Sequence, residues 1–102
     1  MTDLEINRRL ALAIGWRVDQ LLVTPAGLCV VLFDNGQLRR TKFFDHRDPA
    51  VIWPIAERYR SFPFAMRSGG WWAWVPGGNG FSGKRADTAA EAVACAVIGA
   101  HE

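Results

Sequence analysis

A chain of 102 residues is one domain by length, spanning 1–102, and can bury a core without metals or disulfides. With 50% hydrophobic and 22% charged residues, it is not a disordered tail. A net charge of +2 does not by itself imply a nucleic-acid partner, and the longest apolar run, Leu28 to Phe33, falls far short of the ~20 residues of a membrane span.

The N-terminus, Met1-Thr2-Asp3-Leu4-Glu5, is acidic and polar, unlike a signal peptide. A cytoplasmic protein with no membrane partner is expected. A first helix is predicted from Asp3 to Ile14, capped by Thr2 or Asp3. Leu4, Ile6, Leu10, Ala13 and Ile14 fall on one side, with Arg8 and Arg9 turned away. Gly15 stops the helix and Trp16 packs back on it.

Three strands follow. Val18 to Val23 ends at the turn Thr24-Pro25-Ala26-Gly27. Leu28 to Phe33 ends at Asp34-Asn35-Gly36, and Gln37 to Phe44 returns. Asn-Gly between apolar runs is a strong hairpin signal, because both turn residues take positive φ. The middle strand has no polar face, so cover is expected on both of its sides.

Asp48-Pro49 reads as an N-cap and a first-turn proline. The second helix carries Ile52, Trp53, Ile55, Ala56 and Tyr59 and ends near Ser61. Pro54 lacks the N–H that would bond to Ala50, so either the first turn is distorted or the regular helix starts at Pro54. Phe64 to Arg67 and Trp71 to Val75 are two further strands, the second apolar on both faces. Phe81 to Ala86 is a last short strand. Thr88 with Glu91 forms a capping box, and the third helix runs to about Ala100. The expected order is α-β-β-β-α-β-β-α, an α+β fold layered as an α/β/α sandwich around a mainly antiparallel sheet.

Three segments carry a family likeness: Ile6 to Trp16, the stretch opened by Asp48-Pro49 around Trp53, and Ala86 to Ala96. With them the chain resembles the phage ABA sandwich domain. The resemblance implies an α/β/α sandwich of phage or prophage origin and no catalytic residues. Pro54 departs from the smooth second helix such a domain would have.

Cys29 and Cys95 read as reduced, buried thiols. No Cys/His set has ligand spacing, so no metal and no cofactor is expected. Gly78 to Arg85 has the spacing of a phosphate-binding loop, but Arg85 stands where a Ser or Thr should bind magnesium, and the helix starts too late. Arg40 and Lys42 share one face of the third strand and Arg39 takes the other, the pattern of an edge strand. With Lys84 and Arg85 they are also the residues a nucleic acid would use.

Trp72 and Trp74 share one strand face and Trp71 the other. Trp71 or Trp53 is the expected aromatic anchor for a protein partner. The third helix is apolar nearly all round. Ala94, Cys95 and Ile98 on its second side are the expected contact of a homodimer. The leading expectation is a non-enzymatic protein that binds a host or phage protein. A nucleic-acid-binding accessory protein using the Arg/Lys-rich edge strand is the second. An enzyme would need a cluster such as His46 with Asp45 or Asp48.

Overall fold

The computed structural model describes residues 1–76 and 85–101. The chain is α+β, in the order expected: α1 (Asp3–Ala13), β1 (Leu21–Thr24), β2 (Gly27–Asp34), β3 (Gln37–Phe43), α2 (Pro49–Tyr59), β4 (Phe64–Ala65), β5 (Trp71–Trp72) and α3 (Ala89–His101). The strands form two antiparallel sheets, β1-β2-β3 and β4-β5.

Local chemistry sets the element ends. The Thr2 hydroxyl accepts from the Glu5 N–H and opens α1. At the other end the Trp16 N–H bonds the Ala11 carbonyl and the Gly15 N–H bonds the Leu12 carbonyl, with Gly15 at φ 109°. This six-to-one, five-to-two pair needs a left-handed residue, which glycine supplies without steric cost. Asp48 accepts from the Ala50 N–H and opens α2, with Pro49 in the first turn. Thr88 accepts from the Glu91 N–H at 3.1 Å. The reciprocal arm of the cap reaches one residue further back, where Glu91 accepts from the Asp87 N–H at 3.3 Å.

Pro54 lies inside α2, and the helix nevertheless starts at Pro49. Asp48 already holds the first turn, since its carbonyl accepts from both Val51 and Ile52 at 2.9 Å. Pro54 therefore removes only the bond to Ala50, whose position is exposed. The first strand is shorter than expected. Val18–Gln20 turn as a short 3-10 helix, and Val18 is 64% exposed, so its apolar side chain marks no strand face.

The core cluster takes Ile6, Leu10 and Ala11 from α1, Leu28, Val30 and Phe44 from the first sheet, and Val51, Ile52, Ile55 and Ala56 from α2. Ala73, Val75 and most of α3 complete it. In α1 the buried stripe is Ile6, Asn7, Leu10 and Ala11; Leu4, expected on it, is 41% exposed. The third helix is buried nearly all round, but its cover comes from its own chain. It packs against α1, α2 and β5.

In the first sheet, Leu21, Leu28, Val30, Arg40 and Lys42 share the face turned to the helices, as the register Leu21↔Val30↔Lys42 and Leu32↔Arg40 requires. Leu22, Cys29, Val31, Phe33, Thr41 and Phe43 share the other. Cys29 and Val31 are buried but do not belong to the core cluster. The middle strand is thus buried on both faces, as expected, although only its helix-side residues Leu28 and Val30 belong to the core cluster.

Candidate functional site

The second face of the first sheet is built by β-alternation. Cys29 pairs with Leu22 on one side and Phe43 on the other, and two residues on, Val31 pairs with Thr41. At its centre Cys29 is 5% and Val31 8% exposed. The rim stays wet: Leu22 and Phe33 are each 46% exposed and Phe43 58%. The named residues carry no charge. A contiguous apolar patch of this kind on a small domain marks an interaction surface more often than chance exposure does.

The basic edge is as expected in position. β3 ends the order β1-β2-β3, and Arg40 and Lys42 lie exposed on its helix-side face. The register slips by one residue between Leu32 and Phe33, so that Arg39 is the extra residue of a β-bulge. Among the described residues neither Arg40 nor Lys42 has an ion-pair partner. Lys42 also borders a dimple of about 160 Å³ lined by Ile14, Trp16, Phe44, Val51 and Ile55.

The rest of the anticipated basic set does not join this edge. Lys84 and the side chain of Arg39 lie outside the described residues, as does the phosphate-loop-like stretch over Gly78–Lys84. Arg85 is held beside the second sheet. It follows the second sheet, its Nη1 donates to the Ser68 carbonyl at 3.1 Å, and its stem lies over Gly70.

Of the two expected aromatic anchors, Trp53 is 42% exposed on α2. Trp71 is half-buried against the core and bridges Ala86 by backbone bonds of 2.8 and 3.0 Å, a structural duty. Trp74, with 46% exposure, is the more open tryptophan of that segment. The homodimer contact expected at Ala94, Cys95 and Ile98 needs correcting. Ala94 is 0% and Ile98 3% exposed within the single chain, because α1, α2 and β5 already enclose α3. Cys95 is partly buried, and neither cysteine forms a disulfide.

A third feature is a cleft of about 610 Å³ between the start of α1, the β1–β2 turn and the β3–α2 connection. Asp3, Asp45, Asp48 and Asn7 line it. Each carboxylate already has a structural task. Asp3 accepts from Arg47 Nη1 at 3.0 Å, Asp45 from the Arg47 backbone N–H at 3.0 Å, and Asp48 caps α2. Among the described residues no group of His, Cys, Asp and Glu could hold a metal ion.

Beside the cleft, His46 is buried with 1% exposure. The Asn7 side-chain carbonyl accepts from the His46 backbone N–H at 2.7 Å and from its ring Nδ1 at 2.7 Å. A carbonyl oxygen only accepts, so Nδ1 carries the hydrogen. The residue predicted for an acid–base cluster is thus tied into a buried pair. Burial pushes its pKa below 6.5, opposed by Asp3, Asp45 and Glu91 and assisted by Arg47.

This shift predicts a pH dependence. The unfolded chain binds a proton near pH 6.5 that folded His46 declines, so in that window the unfolded state holds more protons. The stability contributed by neutral His46 is complete above about pH 6.5 and falls away as the pH drops toward the lowered folded value. Urea midpoints are expected to fall between about pH 7 and pH 5, and to fall less in His46→Gln. An equal fall in both proteins would assign the effect to other groups.

Comparison with protein-family models, with curated proteins and with solved structures found no match. No helix among the described residues is long and apolar enough to cross a membrane.

The sequence reading missed Leu22, Phe33 and Phe43 as surface residues. The available signal was on β3, where Thr41 and Phe43 alternate with Arg40 and Lys42. That alternation already set the face of Thr41 and Phe43 apart from that of Arg40 and Lys42.

Proposed function

We propose that this chain is a non-enzymatic interaction protein that binds another protein through the Leu22, Phe33 and Phe43 face of its first sheet. The observation that carries the reading is the charge-free set Leu22, Phe33 and Phe43, exposed around a buried Cys29–Val31 centre. Such faces gain free energy by leaving water, at roughly 25 cal/mol per Å² before the costs of association. The likeness to the phage ABA sandwich domain supports a phage or prophage source, and with it a cytoplasmic partner from the host or the phage. No group of residues described in the cleft carries the reading toward catalysis. Its carboxylates cap, pair and position, and His46 is spent on Asn7.

The second reading, nucleic-acid binding, is favoured by one observation, the unpaired Arg40 and Lys42 on one strand face. It predicts affinity that falls steeply with salt. Two adjacent cations are a small footprint for a polyanion, and Arg85 is occupied elsewhere.

The test is a tagged capture from bacterial lysate, with and without nuclease, using the native chain and the double variant Leu22→Asp, Phe33→Asp. Both sites are about half exposed, so the variant's folding is checked by its melting temperature before capture is compared. A protein retained after nuclease by the native chain and lost by the variant is the expected result. Loss of every captured protein on nuclease treatment, or equal capture by the folded variant, would overturn the reading.

A further inference from the structure

The outer edge of β3 has a backbone available for pairing. The Phe44 N–H bonds the Leu28 carbonyl at 2.9 Å, so the backbone groups of Phe44 point inward to β2. Backbone groups alternate along a strand, which turns those of Lys42 and Arg40 inward too and leaves the N–H and C=O of Phe43 and Thr41 on the outer edge. Among the described residues no strand pairs with that edge. Side chains alternate in the other direction: Arg40 and Lys42 stand on the helix-side face, Thr41 and Phe43 on the opposite one.

We propose that this edge accepts an extended, alternating acidic–apolar segment of a partner protein as a fourth strand of the sheet. The inference rests on the protein-binding reading above and names the chemistry of the partner. Charge decides the occupant. A second copy of β3 would bring Arg40 and Lys42 against the same cations, and like charges directly across a strand pair are destabilising. A segment with carboxylates at every second residue meets both cations, which have no ion-pair partner among the described residues. Its intervening apolar residues then fall beside the exposed Phe43 and widen that apolar face. Main-chain hydrogen bonds to Thr41 and Phe43 supply affinity, and the alternation supplies specificity.

The probe is an eight-residue peptide alternating glutamate with valine, titrated into the isotopically labelled full chain at near-physiological salt. The backbone amide signals of Thr41 and Phe43 are expected to move most. The double variant Arg40→Glu, Lys42→Glu is expected to bind this peptide about tenfold or more weakly and to gain affinity for a lysine–valine peptide. Its folding is checked by the dispersion of its own amide spectrum. Charge reversal with a compensating peptide keeps the result independent of any small loss of stability.

Absence of movement at Thr41 and Phe43, or unchanged affinity after charge reversal, overturns the inference. So does an oligothymidylate that moves the same amides as strongly as the peptide, since the edge would then be a polyanion site. If the peptide fails while a captured protein still depends on Leu22 and Phe33, the edge inference fails alone. If capture also fails, the protein-binding reading falls with it.

Discussion

Replacing Asn7 by leucine is expected to lower the unfolding free energy by about 3 kcal/mol, with the urea midpoint reduced and the slope unchanged. Leucine matches the shape of asparagine but removes the one oxygen that accepts from both His46 donors. Two buried donors then lose their acceptor, and each costs about 1–3 kcal/mol. A loss below about 1 kcal/mol would mean that another group takes up those donors. Asn7→Asp makes the complementary test. It keeps an acceptor oxygen, so its loss near neutral pH is smaller, and its negative charge raises the pKa of His46. A ring-proton titration by NMR reads that shift directly.

Leu10→Ala is expected to cost about 3 kcal/mol, and Leu4→Ala less than about 1 kcal/mol. Both are leucines of one helix, but Leu10 is 0% and Leu4 41% exposed. Leu10 belongs to the buried core cluster, so its removal leaves a cavity there. Denaturant unfolding of the two variants checks the difference. Equal losses would place Leu4 in the core and move the buried stripe of α1.

The contrast between those leucines shows where the sequence was and was not legible. Signals that act within a few residues were readable. Asn35 and Gly36 take φ values of 51° and 79°, as an Asn-Gly hairpin turn requires. Gly15, Asp48-Pro49 and Thr88 mark helix ends through bonds made inside one turn. The edge position of β3 was readable from its charges, because an edge strand is where cations are tolerated on both faces.

What depends on the other side of the molecule was not readable. Helical periodicity admits Leu4 as easily as Asn7 to the buried stripe, and Asn7 enters it because His46, 39 residues away, supplies two donors. The apolar run of β2 announced burial on both faces, but not that Leu28 and Val30 would join the core cluster while Cys29 and Val31 stand apart from it. The all-round apolar character of α3 correctly called for cover on several sides. It could not say that α1, α2 and β5 supply that cover without a second chain.

Burial along β2 falls from one end to the other: Leu28 1%, Val30 2%, Val31 8%, Phe33 46%. A hairpin anchored so unevenly does not open as one unit. Amide protons beside Leu28 and Val30 exchange with solvent only when the whole domain unfolds, whereas those near the Asn35-Gly36 turn exchange by local fraying. The bulge at Arg39 sits between these regimes and interrupts the ladder where the two rates diverge. The hairpin thus has one end clamped by the core and one end loose in solvent. Any segment that lengthens the sheet would slow exchange at the loose end far more than at the clamped one.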